Sequence, residues 1–244
     1  MLLLDLVTTL PMKEISQKKQ RTKEIRYLNN HLKKIEFNQK INDGYFKILQ
    51  KLYIKYNFKI NNLYRFINAF NQDINYKQHA RFSGLVNYCS DAANPAGELI
   101  LSLVKQDNKE NILKSNAICT TLALINFAQG VVEDYEKGRI YIPKEEMKKF
   151  NLNIEDIKQR NFTSQWVKYK KYWVKRNYQI LQRGLGLGEA IKGKLGIEVQ
   201  MIEHAALLLL KRMERNDCNL FISPPKINTL DWIFIFLKVA LRSL

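Results

Sequence analysis

Hydrophobic positions recur along most of this chain at intervals of three and four, the spacing that puts side chains on one face of an α-helix. Over residues 16–36, Ile25, Leu28, Leu32 and Ile35 form one stripe among lysines and arginines. The same period runs through Phe46, Leu49, Leu52 and Tyr53 in residues 45–56, and through Leu63, Phe66, Ile67 and Phe70 in 61–73. Residues 82–104 are helical in pattern but carry Asn94-Pro95 and Gly97. These predict a break, because an interior proline removes a hydrogen bond and clashes with the preceding turn. Residues 115–137 read as one uninterrupted helix, with Ile118, Leu122, Ile125 and Val132 on its apolar side and Pro143 as its stop. PKEEMKKF predicts a helix opened by proline. A polar, aromatic helix is expected over 163–182 and a long apolar one over 194–214. DWIFIFLKVAL, residues 231–241, is too short to span a bilayer and is expected to be a buried terminal helix. The fold class is all-α.

Composition narrows the picture. With 10 glycines and 5 prolines in 244 residues the chain has few obligatory turns, which suits long helices in one sizeable core. A mean hydropathy of −0.33 places it with globular chains. The net charge of +17 attracts polyanions, whether nucleic acid, an anionic membrane or a diphosphate. Its lysines are spread from Lys13 to Lys238, and no helix-turn-helix or aromatic-studded basic arm accompanies them, so specific nucleic-acid binding is not expected. Cys89, Cys119 and Cys218 lack ligand spacing, and His31, His79 and His204 stand apart, which points to a reduced, cytoplasmic protein without a Cys/His metal site. MLLLDLVTTL has no basic leader and contains Asp5, unlike a signal peptide. The glycines of GLGLG follow no strand, so a helix end and turn is expected there rather than a dinucleotide loop.

The stretch LINFAQGVVEDYEKGRIYIP, residues 124–143, is where chemistry shows. Asn126, Gly130 and Asp134 are four apart and share one helical face. An aspartate at the middle position would give a DxxxD pair for Mg²⁺; here that position is glycine.

Three stretches in order, YCSDAANPAG (88–97), NFAQGVVEDYEKGRIYIP (126–143) and GKLGIEVQMI (193–202) followed by PKINTLDW (225–232), resemble the squalene/phytoene synthase family. The bacterial hopanoid branch, which includes hydroxysqualene synthases, is the most similar. The resemblance runs from about residue 16 to about 240, leaving residues 1–15 unmatched, and implies a single-domain helical bundle of the isoprenoid synthase type around a central apolar cavity. It further implies a prenyl diphosphate substrate, farnesyl or presqualene diphosphate, with Mg²⁺ as cofactor and an apolar lining that keeps water from a carbocation. By resemblance Asp134 and Glu133 are the metal-side carboxylates, and Asn126 and Gln129 face the diphosphate region. Arg139 and Tyr141 match a phosphate-contacting segment, and Tyr88 lies near the reacting carbons. A peripheral contact at the inner membrane face and a hopanoid-pathway paralogue are the partners this implies.

Two departures stand out. The DDxxD-type cluster of the family's first motif does not occur in this sequence, and Gly130 replaces the first aspartate of the second. Two readings stay open: an isoprenoid enzyme with impaired activity, or a catalytically inactive helical paralogue that binds prenyl diphosphate or lipid.

Overall fold

The computed structural model describes residues 18–242. The MLLLDLVTTL segment and the expectation attached to it lie outside the described residues.

Thirteen helices and no strands are found among the described residues. They are α1 Lys18–Glu36, α2 Gly44–Tyr56, α3 Asn61–Ile74, α4 Phe82–Ala92, α5 Asn94–Leu103, α6 Lys109–Gln129, α7 Val131–Glu136, α8 Lys144–Phe150, α9 Ile154–Lys158, α10 Ser164–Gln182, α11 Leu187–Ala190, α12 Lys194–Glu214 and α13 Thr229–Arg242. The periodicity of the sequence locates most of the longer ones to within a few residues, α6 excepted.

The chain divides into two compact units. The first contains residues up to Lys77 together with Ser90–Asp107. In it α1 packs on α2 and α3, and α3 on α5. Leu32, Ile35, Phe46, Leu49, Leu63, Phe66, Ile67 and Leu99 form its buried core, so the predicted stripes do face inward. Arg65 organises its polar side, donating to both carboxylate oxygens of Glu98 at 2.9 Å and to the Ser90 carbonyl at 2.5 Å. Asn94-Pro95 does interrupt the 82–104 pattern, but the proline falls in the first turn of α5, where its missing N–H costs nothing, and Gly97 lies inside that helix.

The second unit comprises Gln78–Cys89 and residues from Asn108 on. Its frame is three long helices, α6, α10 and α12, each packed against the other two. Leu124, Ile125, Trp166, Trp173, Val174, Leu181, Ala206 and Leu210 are buried among them. α6 starts earlier than its apolar pattern suggested, because Asn108 caps it by accepting from Asn111 N–H at 2.9 Å. The helix expected to run unbroken to residue 137 changes at Gly130, whose φ of −96° and ψ of 15° end α6 and start α7. Hydrogen bonds continue across the break, from Gly130 N–H to the Asn126 carbonyl and from Asp134 N–H to the Gly130 carbonyl, both 2.8 Å.

The terminal helix corrects another expectation. Only Ile235 and Val239 of α13 are buried, whereas Leu230, Ile233, Phe234, Phe236, Leu237 and Leu241 are all exposed. Its start is fixed by Asp231, which accepts a bidentate pair from Arg212 on α12 at 2.8 and 2.6 Å and a further bond from Asn228 N–H. The conspicuous PKINTLDW segment thereby anchors α13 to α12. No described helix is long and apolar enough to cross a membrane.

Candidate active site

The site is built at the end of α7. Gly138, with φ at +74°, takes the left-handed conformation that an L-side chain resists and closes the helix. Arg139 N–H then bonds the Asp134 carbonyl at 2.7 Å and Gly138 N–H the Tyr135 carbonyl at 2.9 Å. This pair of bonds is the Schellman closure, and it ties the backbone of Arg139 to that of Asp134. The chain leaves as Ile140-Tyr141-Ile142-Pro143, with Tyr141 and Ile142 buried. Its exit is clipped to residues 78–82. Lys144 and Glu145 N–H donate to the carbonyls of His79 and Ala80, and Gln78 donates to the Ile142 carbonyl.

Aromatic rings gather beneath this turn. Tyr141 stacks on Phe127 with centroids 3.9 Å apart and planes 11° from parallel, and Tyr88 lies 5.8 Å from Tyr141 and 6.2 Å from Phe127. Arg139 donates from Nη1 toward the Tyr141 hydroxyl at 3.5 Å, while Glu136 faces Arg160 instead. Asp134, Phe127 and Tyr141 line a cavity with Leu85, Trp166 and Lys170 in which about 40 Å³ is open to water-sized molecules. Its lining is mostly apolar and aromatic, with Asp134 and Lys170 as the charged residues among it.

The structure therefore brings Asp134, Arg139, Tyr141 and Tyr88 to one place. Asn126 is exposed one turn before Gly130, and Glu133 is exposed beside Asp134. Gln129 has a different local partner: its amide donates to the Pro225 carbonyl at 2.6 Å, pinning the turn before α13. Phe127, the closest stacking partner of Tyr141, was readable only as one more aromatic on α6.

Lys170 was also missed. It is 1% exposed, and its Nζ donates to the carbonyls of Arg215 and Cys218, each at 2.7 Å. Burial pushes its pKa down. A lysine among the aromatics of α10 resembles any surface lysine in sequence, so no local signal distinguished it. Nearby, the buried Glu146 accepts from the Tyr169 hydroxyl at 3.0 Å and from Arg176, and the tyrosine is pushed well above its usual range by burial.

Cys89, Cys119 and Cys218 are free thiols. No group of three or more His, Cys, Asp or Glu side chains that could hold a metal exists among the described residues. One half-buried carboxylate and one exposed one do not fit the array of Mg²⁺ ions, held between two acidic motifs, that the family resemblance implies.

His79 contributes a pH dependence. Its ring lies 5.6 Å from that of Tyr88, and burial lowers its pKa below the ordinary 6.5. The folded state thus binds this proton less readily than the unfolded chain, so stability is complete above about pH 6.5 and declines as pH falls below it. The urea midpoint is expected to drop between about pH 7 and about pH 5.5, and His79→Gln to remove part of that slope.

In this all-helical frame the segment after Gly138 turns over an aromatic-lined chamber. A family model for squalene/phytoene synthase matches residues 13–231, and the chain belongs to that family. It is 28% identical to the hydroxysqualene synthase of Zymomonas mobilis over 154 residues, 62% of this chain and 51% of that protein. To the chloroplastic phytoene synthase 1 of Arabidopsis thaliana it is 28% identical over 167 residues, 64% of this chain and 38% of that protein. The chain thus spans about half the length, or less, of these curated relatives. The squalene synthase HpnC from Alicyclobacillus acidocaldarius shares its fold with a TM-score of 0.73 at 22% identity, over 78% of this chain and 72% of that one. A dehydrosqualene synthase solved with a ligand gives 0.79 at 19% identity, covering 90% and 78%.

Proposed function

We propose that this chain is a squalene synthase-like protein of isoprenoid, hopanoid-type metabolism. It binds a prenyl diphosphate, farnesyl or presqualene diphosphate, and turns it over slowly or not at all. The observation that carries this reading is the junction of Arg139, Tyr141 and Asp134 at the rim of an apolar chamber. A diphosphate needs cationic and hydroxyl donors, and its prenyl tail needs a dry apolar wall. Arg139 binds phosphate oxygens, and the Tyr141 hydroxyl beside it adds a donor. Tyr88, Phe127 and Tyr141 present ring faces to the tail and Tyr88 its phenol to the reacting carbons. Family members handle such substrates with divalent metal; Asp134 and Glu133 are too few to hold several ions.

Calorimetry with farnesyl diphosphate, alongside product analysis, tests this. Binding is expected, and Arg139→Ala should weaken it about tenfold or more, the cost of one charged hydrogen bond. Little or no squalene, hydroxysqualene or other C30 product should form with Mg²⁺ present. Fast turnover would remove the impairment; absence of diphosphate binding would remove the reading altogether.

A second reading, an inactive lipid-binding paralogue acting beside an active enzyme, is favoured by Lys170. Lys170 lines the chamber, and a positive charge so close to it, although held by the carbonyls of Arg215 and Cys218, disfavours a carbocation and suits a neutral or anionic guest.

A further inference from the structure

Two helices of the second unit extend their packing face beyond the chamber, and there the face changes character. On α10, Trp166, Tyr169 and Trp173 line the chamber. The same face continues, at spacings of three and four, as Arg176, Gln179, Ile180 and Arg183, the last just past the helix end. On α6 the face that ends in Leu124 and Phe127 begins as Leu113, Asn116, Ala117 and Thr120. A stripe with this spacing ordinarily meets a core. Here it lines a groove of about 820 Å³ open to water-sized molecules, walled on its third side by Phe82 and Val86 of α4. Chamber and groove share no lining residue.

The groove wall contains donors that the fold leaves unused. Arg176 commits Nη1 to the buried Glu146 and to the Tyr172 hydroxyl, while its Nε and Nη2 are buried without a hydrogen-bond partner. An unpaired buried guanidinium edge is costly, and the edge formed by Nε and Nη2 grips two oxygens of one anion. Phe82, the half-buried first residue of α4, stacks on this guanidinium with its ring centroid 3.3 Å from Cζ and shields it. Asn116 has a buried, unpartnered Oδ1; turned end for end, its amide offers N–H donors instead. Arg183 adds an exposed guanidinium at the rim. Glu110, the one acid of the lining, is bound to Lys114 at 2.8 Å.

These groups define a ligand. Two guanidiniums suit a phosphate monoester, which carries about −1.5 to −2 at pH 7, better than a singly charged carboxylate. Leu113, Val86, Ala117 and Ile180 make the remaining wall apolar, so the phosphate should carry a hydrocarbon body. From Glu110 to Thr120 the wall runs about 15 Å along α6, room for a phosphate and roughly six carbons.

We propose that the groove between α4, α6 and α10 binds a small alkyl phosphate, with Arg176 Nε and Nη2 and Arg183 as the phosphate donors. Phe82 swings aside to admit the phosphate, and Arg176 keeps Nη1 on Glu146. This site is separate from the one around Arg139 and needs no activity there.

Calorimetry of the full chain with hexyl phosphate, hexanoate and inorganic phosphate tests the proposal. Hexyl phosphate is expected to bind about fivefold or more tighter than either of the others. Arg183→Ala, at an exposed position, should weaken it about tenfold without moving the melting temperature. Ala117→Glu, which sets a carboxylate on the groove wall, should abolish it. Phe82→Ala should tighten inorganic phosphate about threefold, because the shielded state no longer competes. A loose gathering of surface cations gives no such gain. Arg139→Ala should leave hexyl phosphate binding intact, whatever it does to farnesyl diphosphate. The proposal is overturned if hexyl phosphate does not bind, if hexanoate binds equally well, or if Arg183→Ala binds like wild type. Unchanged phosphate affinity in Phe82→Ala, or loss of hexyl phosphate through Arg139→Ala, overturns it as well.

Discussion

Gly130→Asp is expected to strengthen the response of the chain to Mg²⁺. A β-carbon built on Gly130 would lie 3.4 Å from Asp134 Oδ2 and 3.2 Å from the Asn126 carbonyl oxygen. The backbone angles there suit an L-residue, and the Asn126 contact asks for a shift of only a few tenths of an ångström. A new carboxylate must therefore settle beside that of Asp134. Two such charges about 4 Å apart repel by roughly 1 kcal/mol where water screens them, more as they are desolvated. That exceeds the few tenths gained by replacing a helical glycine with aspartate. In chelator the variant should melt below wild type; Mg²⁺ bridging the pair should raise its midpoint above its own metal-free value. Apparent Mg²⁺ affinity should rise about tenfold, since affinity follows the count of ligand charges. Adding Asp134→Asn should erase the gain. If Mg²⁺ moves neither midpoint, positions 130 and 134 do not present a shared metal face, whatever their spacing.

That outcome bears on what could be read without coordinates. Helix positions followed from apolar spacing because burial of one stripe is a local, periodic demand: Leu32 and Ile35 sit in the core as their pattern requires. Position 130 does lie beside Asp134, whereas Asn126 is exposed and does not line the chamber, against which Ile140, Tyr141 and Ile142 lie. The break at Gly130 was less visible, because a glycine inside an apolar run is compatible with either a continuous or a divided helix. Lys170 and Glu146 were invisible for another reason. Their burial depends on carbonyls of Arg215 and Cys218, and on Tyr169 and Arg176, all remote in sequence. The outward face of α13 misled for the same cause. DWIFIFLKVAL has enough apolar residues to satisfy a core, and only the placement of Ile235 and Val239 against α12 determines which side faces out.

Gly196→Ala should produce a large loss of stability. A β-carbon at Gly196 would approach the Ile191 carbonyl oxygen to 2.2 Å and the Gly188 carbonyl oxygen to 2.7 Å. At Gly188 a β-carbon would meet Gln200 N at 2.5 Å and the Gly196 carbonyl oxygen at 2.8 Å. The two glycines thus let α11 and α12 touch backbone to backbone, and a main-chain carbonyl cannot rotate aside as a side chain can. Sliding α11 away would also break the bonds that hold it. The buried Glu203 accepts from Gly188 N–H at 3.0 Å and from Gly186 N–H at 3.4 Å, and Gln200 donates to the Gly188 carbonyl at 3.3 Å. Overpacking at a rigid contact, with a buried carboxylate losing donors, is expected to cost about 3 kcal/mol or more. In a chain of this size that corresponds to a fall of roughly 6–12 °C in melting temperature. Gly44→Ala is the matched control. It opens α2, has nothing within 4 Å of its added methyl, and should leave stability unchanged or raise it by up to about 1 kcal/mol. Thermal melts of the two variants beside wild type decide the matter: a Gly196→Ala protein that melts with Gly44→Ala would mean that α11 and α12 do not approach this closely in solution.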